Sequence, residues 1–343
     1  MNPSPVSIAV DGMGGDHGPA VVVPACALAL AAHPALTILL VGRPEELQAK
    51  LQAHKLLQHP RLQCVSATEV VAMDDEPAKA LRGKKDSSMR VAINCVADGR
   101  AQAAVSAGNT GALMATARFV LKMIEGIDRP AIMSALPSER GRTQVLDLGA
   151  NAECQAEHLL QFARMGSAAC RVLTNAESPS VGLLNIGSET IKGNAIVKEA
   201  AALLAASGLN YFGFVEGNDI YKGTVDVVVC DGFSGNVMLK ASEGIAHLIG
   251  QDLKKTFTGS WHGRLVGLLG APLLRAMKKQ LDPGQYNGAS LVGLRGVVVK
   301  SHGGADAAAM ANAIAIAAIE AGDNLPQRIA DELRADSAIP STA

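Results

Sequence analysis

Ser7-Ile8-Ala9-Val10-Asp11-Gly12-Met13-Gly14-Gly15-Asp16-His17-Gly18-Pro19 is the stretch on which the fold turns. It reads as an apolar run, a glycine loop and a proline. Ser7–Val10 predicts a buried strand and 11–18 a loop. Pro19–Ala32 predicts a helix whose first turn tolerates the proline, because that N–H has no intrahelical partner. The rhythm recurs at Leu36–Val41 with Pro44–Gln58, and at the strand Leu62–Ser66. Ala103–Val105 leads through 106–111 to a helix ending near Leu121. Gln144–Leu148 leads through 149–153 to a helix from about Ala156. Val181–Leu184 leads through 185–193 to a helix ending near Ala206. Tyr211–Val215 and Val225–Cys230 predict further strands, and Val297–Lys300 precedes Ser301–Ala305 and a helix to about Ala321. Strand, loop and helix in this order imply an α/β fold: a mostly parallel sheet with helices on both faces.

Composition narrows the class. The 343 residues are 48% hydrophobic and 18% charged, which is globular rather than disordered. Lys and Arg number 31 against 32 Asp and Glu, so no global basic field attracts nucleic acid. Six cysteines show no C-x-x-C pair and predict buried thiols in a reducing cytosol. The N-terminus lacks a basic, then apolar, leader, and no apolar run reaches membrane-spanning length; the chain is expected to be neither secreted nor integral.

The unusual residues collect in the loops that follow strands, where open α/β sheets bind ligands. They are Asp11–Gly18, Ser106–Ala112, Asp147–Asn151, Asn185–Glu189 with Lys192-Gly193-Asn194, Asp231–Asn236 and Ser301–Gly304. Glycine brings backbone N–H groups close to an anion, and the next helix adds its positive end. Six such loops are expected at one sheet edge, as a phosphate site. The dinucleotide fingerprint fails, since His17 stands where G-x-G-x-x-G needs its third glycine, and no Walker lysine is present. Lys192 is either a point charge for phosphate or a solvated loop lysine; Lys84 and Lys85, with Arg90 nearby, are a second basic candidate. His17 and His302 are either general bases or loop hydrogen-bonders. Asp11, Asp16, Asp147 and Asp231 lack a metal-ligand spacing and are read as fixing loops. No G-x-S-x-G elbow or Cys/His dyad supplies a covalent nucleophile, so phosphate itself is the expected nucleophile.

Lys254–Lys279 holds six basic residues and no acid, together with Trp261 and many leucines. Its glycines and Pro272 divide it into short helices. Such a segment suits a membrane interface, an acidic partner protein or a dimer interface.

The motifs VDGMGGDHGP, SAGNTGALM, GIDRPA, DLGAN, NIGSE with KGN, DGFSGN and KSHGGAD, in this order from about residue 6 to 330, resemble those of the phosphate acyltransferases of bacterial phospholipid synthesis. The resemblance implies conversion of acyl–acyl carrier protein and inorganic phosphate to acyl phosphate and free carrier protein, without cofactor or metal. It implies a fold similar to the isocitrate/isopropylmalate dehydrogenases and phosphotransacetylase, and a homodimer on the inner face of the cell membrane that serves a membrane-bound glycerol-3-phosphate acyltransferase. By position, it implies catalytic roles for Lys192, Asp231 and Asn236. It also implies phosphate or substrate contacts at Gly14, Gly15, Asp16, His17, Ser106, Gly108, Asn109, Thr110, Gly111, Asn151, Ser188, Asn194, Gly235 and His302. Lys254, Lys255, Arg264 and Arg275 are the expected rim for the acidic carrier. One domain is expected over 1–335, made of two interwoven lobes with a helical protrusion at about 251–282, and a polar tail at 336–343. Gly12 departs from the family's usual D-A-M-G-G-D. The rival readings are a metal- and nicotinamide-dependent hydroxyacid dehydrogenase, a phosphotransacetylase acting on acetyl-CoA, and a membrane-recruited scaffold.

Overall fold

The computed structural model describes residues 5–273, 284 and 287–337. An 11-stranded sheet runs through it. The first half contains β1 (Val6–Asp11), β2 (Leu36–Gly42), β3 (Leu62–Ser66) and β4 (Ala103–Ser106). β5 (Ala131–Ser138) and β6 (Gly141–Leu146) form a hairpin, followed by β7 (Val181–Leu184), β8 (Tyr211–Val215) and β9 (Val227–Val229). β10 (Ala289–Val292) and β11 (Val297–Lys300) close the set. The spatial order is β3-β2-β1-β4-β11-β10-β5-β6-β9-β7-β8. Strands buried on both faces read as unbroken apolar runs, which is why β1, β2, β7 and β11 were legible.

Helices cover both faces. One face carries α1 (Pro19–Ala32), α2 (Pro44–Ala53), α6 (Ala156–Thr174), α7 (Ala195–Ala205), α11 (Ala307–Gly322) and α12 (Leu325–Ser337). Val22, Cys26 and Leu30 of α1 pack with Met310 and Ile314 of α11 over β1, β2 and β4. Phe162 and Met165 of α6 pack with Leu204 and Ile329 over the second half. The opposite face carries α3 (Pro77–Gly83), α4 (Ser88–Ala97), α5 (Thr110–Leu121), α8 (Gly217–Lys222) and α9 (Gly232–Thr258). Its core joins Met89, Ile93, Leu113, Ile220, Val228 and Leu291.

The strand directions correct one expectation. β1, β2, β3, β4 and β11 are mutually parallel, and so are β6, β7, β8 and β9. Between the sets, β11–β10, β10–β5 and β5–β6 are all antiparallel. Three reversals point the second set opposite to the first. The loops after β1, β4 and β11 therefore leave one end of the strands, and those after β6, β7 and β9 leave the other. The glycine loops do not share one edge. β5 and β10 escaped the sequence reading because one is broken by Ser134 and Pro137 and the other is only four residues long.

The start of the segment read as several short helices is instead the end of one long helix, and the first of the breaks expected at its glycines comes at Gly259. α9 carries Lys254 and Lys255 in its last turns, and α10 (Trp261–Leu269) folds back against it. Ile245, Leu248, Ile249, Trp261, Leu265, Leu268 and Leu269 are exposed along this pair. Arg275, Lys278 and Lys279 of the predicted protrusion, and 338–343 of the predicted tail, lie outside the described residues. Five cysteines are buried as expected, and Cys64 on the edge strand β3 is exposed.

Glu320 of α11 is buried, with Ser290 Oγ donating to its carboxylate. Burial pushes its carboxyl from 4.5 to about 7. Its folded state holds a proton that the unfolded chain releases, so this stability is present below pH 4.5 and is lost as pH rises through about 7. Glu320→Gln removes the titration. Urea denaturation should show the variant more stable by on the order of 3 kcal/mol at pH 8, and no better at pH 4.5.

Candidate active site

The first group of loops is knitted together at the ends of β1, β4 and β11. Asp11 is buried; Ser106 Oγ donates to its Oδ2 at 2.6 Å and Met13 N to its Oδ1 at 3.2 Å. Burial pushes this carboxyl up, while the Ser106 and Ser88 hydroxyls pull it down. Ser106 Oγ also accepts from Gly108 N at 3.0 Å. Gly15 sits at φ +88°, and a Cβ there would meet the Gly303 carbonyl at 2.9 Å and Ala107 at 3.0 Å, so the three loops touch through glycine. Asp16 N donates to Gly303 O at 2.9 Å.

Asn109 caps α5, accepting from Ala112 N at 3.0 Å, and its Nδ2 donates to the carbonyls of Met73 and Asp75 at 2.8 and 3.0 Å. Leu113 N reaches Asn109 O. Among the described residues, that leaves the N–H groups of Thr110 and Gly111, at the positive end of α5, without an intrahelical or capping acceptor. Lys84 is held by Val70 O and Asp75 within the neighbouring loop, and Arg90 stacks over Phe119 at 5.1 Å.

The second group surrounds Asp147, which is fully buried. Its carboxylate accepts from the N–H groups of Ile132, Gly149, Ala150 and Asn151 and from the Asn151 amide, at 2.7–3.2 Å. Burial pushes the carboxyl up against these donors, which favour the anion. Asn151 Nδ2 also donates to Pro130 O at 2.8 Å, and Asn151 O accepts from Gly232 N at 2.8 Å. Asp231 caps α9, accepting from Ser234 N and Oγ, both at 2.8 Å. Asn194 caps α7 through Val197 N at 2.8 Å. Lys192 is exposed, with its alkyl stem beside Gly187, and no hydrogen bond or ion pair holds its ammonium among the described residues. Beneath the Gly193 turn, Asn185 Nδ2 is buried with no hydrogen-bond partner among the described residues.

α9 links the two groups. It starts against Asn151, places the exposed Asn236 beside Gly149, and one turn later brings Lys240 near enough to Lys300 for the two charges to repel.

The residues expected from sequence divide accordingly. Asp16, His17, Thr110, Ser188, Lys192, Asn236 and His302 are exposed. Ser106, Asn109, Asn151, Asn194 and Asp231 are instead occupied in holding loops and helix starts, because short polar side chains there satisfy backbone groups that would otherwise be orphaned. Gly14 and Gly108 are buried close-approach points between loops, and Gly235 is buried with its N–H donated to Asp231 O, so it does not present that N–H to a ligand. Sequence reasoning missed Lys300 and Asn287, and gave Asn185 no role beyond its place in the loop Asn185–Glu189. Asn287 binds Ser301 Oγ, Ala309 O and His302 N. A lysine ending the apolar strand Val297–Lys300 was the available signal. Among the described residues no group of three or more His, Cys, Asp or Glu is placed to hold a metal ion, and no helix is long and apolar enough to cross a membrane.

The model of the fatty acid synthesis protein family matches residues 6–328. The chain belongs to this family. A phosphate acyltransferase of Alcanivorax borkumensis is 58% identical over 329 residues, covering 96% of this chain and 97% of that protein. One from Legionella pneumophila is 54% identical over 329 residues, covering 96% of each. Among solved structures, a phosphotransacetylase from Streptococcus pyogenes aligns with TM-score 0.59 and 18% identity, over 92% of this chain and 94% of that one. EutD phosphotransacetylase from Staphylococcus aureus gives 0.58 and 15%, over 94% and 95%. At these identities the family member shares their fold, a mostly parallel α/β sheet with helices on both faces.

Proposed function

We propose that this chain transfers a fatty acyl group from the thioester of acyl carrier protein to inorganic phosphate, giving acyl phosphate and free carrier protein for glycerophospholipid synthesis. The observation that carries the reading is the 58% identity to a phosphate acyltransferase across nearly the whole chain. The unpaired Lys192 ammonium beside a loop with an unpartnered amide donor fits an anionic substrate.

In this reading a phosphate oxygen attacks the thioester carbonyl, the C–S bond breaks, and the pantetheine thiolate leaves. Lys192 balances phosphate charge, and the free amide of Asn236 donates to the oxyanion, a contribution on the order of 3 kcal/mol. Ser188, His17, His302 and the N–H groups of Thr110 and Gly111 contact the substrates. Asp231 acts by fixing the start of α9 and hence Asn236. A dianionic nucleophile needs no strong base, in keeping with a site built from caps and glycine loops. No residue role requires a metal or cofactor.

The exposed apolar stripe of α9 and α10, with Lys254, Lys255 and Arg264 beside it, supports a homodimer and peripheral contact with the inner membrane face, where the product passes to a membrane-bound glycerol-3-phosphate acyltransferase. The same basic residues suit the acidic carrier. The two oppositely directed strand sets support two interwoven lobes, and we extend the fold likeness to the isocitrate/isopropylmalate dehydrogenases.

The test is phosphate-dependent release of carrier thiol from palmitoyl–acyl carrier protein, with acetyl-CoA as control. Release from the carrier substrate alone is expected. Release from acetyl-CoA alone makes the chain a phosphotransacetylase, and release from neither returns the dehydrogenase and scaffold readings.

A further inference from the structure

The proposed acyl transfer leaves unused a buried cation at the junction of the first three loops. Lys300 ends β11 with only 9% of its surface exposed. Its Nζ donates to Ala107 O at 3.3 Å and to Ser301 O. Those carbonyls belong to the loops after β4 and β11. Ser301 N donates to Ser106 O at 2.9 Å, and Ser106 is tied to Asp11 of β1, so one connected polar network spans three adjacent strand ends. Ala107 stands three residues before Thr110, where α5 begins with two N–H groups unclaimed by the cap.

A buried ammonium is costly, and an apolar side chain would fill a strand end more cheaply. A lysine here therefore calls for a role beyond packing. We propose that Lys300 is a positioning residue for the phosphate substrate, clamping the carbonyls of Ala107 and Ser301 so that the Thr110 and Gly111 N–H groups stay aimed at the anion, and placing a fixed positive charge behind them. The clamp rests on the acyl-transfer reading only for the identity of the anion. Asp11 and Asp16 face the ammonium and favour its charge, Lys240 of α9 opposes it, and burial lowers it furthest, to about 8. The ammonium is thus charged below about pH 8 and loses its charge, though not its two N–H donors, above it.

The experiment is calorimetric titration of the full chain with inorganic phosphate, without acyl substrate, for the wild type, Lys300→Met and Lys300→Arg. Lys300→Met should weaken phosphate binding about ten- to hundred-fold, the range for losing a supporting contact, and Lys300→Arg should restore most of it. In turnover, KM for phosphate should rise while KM for the acyl carrier substrate holds. Wild-type phosphate affinity should fall above about pH 8, a limb the Met variant lacks. If Lys300→Met does not fold, Lys300→Gln and the wild-type pH limb carry the test. A folded variant with unchanged phosphate affinity, a wild type with no limb near pH 8, or a wild type that binds no phosphate overturns the proposal. A wild type that binds phosphate with this limb but transfers no acyl group supports the clamp and removes the acyl-transfer reading.

Discussion

Lys192→Ala should cost about a hundred- to thousand-fold in kcat/KM for phosphate-dependent thiol release, the scale of losing one preorganised charge at a reacting group. Its stability should change by no more than about 0.5 kcal/mol, as for other exposed positions. The asymmetry follows from its surroundings. The side chain is exposed, and among the described residues no carboxylate or carbonyl depends on its ammonium. Its backbone N–H, which does hold the turn by donating to Glu189 O at 3.0 Å, survives the substitution. Lys192→Arg keeps a charge but spreads it over a planar fork, so partial recovery separates charge from shape. Steady-state kinetics beside a thermal melt checks both halves. Near-normal turnover in a folded Ala variant would remove Lys192 from the mechanism.

What the sequence made legible follows from what each residue type can do alone. Pro19–Ala32 and Val181–Leu184 match the structure end for end, because a proline start and an unbroken apolar run are local signals. The direction of β6 was not legible. It depends on the antiparallel pairing of β10 with β5, residues far apart in the chain, and neither strand has a periodic pattern of its own. The split of the glycine loops between two strand ends followed from that. Site residues show the same division. Exposed Lys192 and Asn236 were found by motif, but the motif did not distinguish Asn109 and Asn151, whose amides are taken up by nearby backbone. Lys300 was passed over because a terminal lysine on a strand ordinarily reaches solvent; only the three-loop junction buries it.

Gly235→Ala is the second large expectation, and it tests whether DGFSGN is a packing motif as much as a chemical one. A Cβ at Gly235 would lie 1.9 Å from Asp147 O and 2.9 Å from Cys230 Sγ. The carbonyl cannot retreat easily, since the Asp147 side chain is pinned by the N–H groups of Ile132, Ala150 and Asn151. Helix α9 must move instead. It is held on that side as well, because Gly232 lies so close that a Cβ there would meet Asn151 O at 2.7 Å. Overpacking against fixed backbone should destabilise the protein by on the order of 3 kcal/mol or more. The displaced helix should carry Asn236 away from Gly149, so that residual folded protein turns over slowly. Gly244→Ala in the same helix is the matched control. Nothing lies within 4 Å of a Cβ there, and replacing an interior helical glycine should stabilise by about 0.5–1 kcal/mol. Urea denaturation at fixed protein concentration should therefore give opposite signs for one chemical change at two positions of α9. Equal, small effects at both would mean that α9 is not seated on the Asp147 loop.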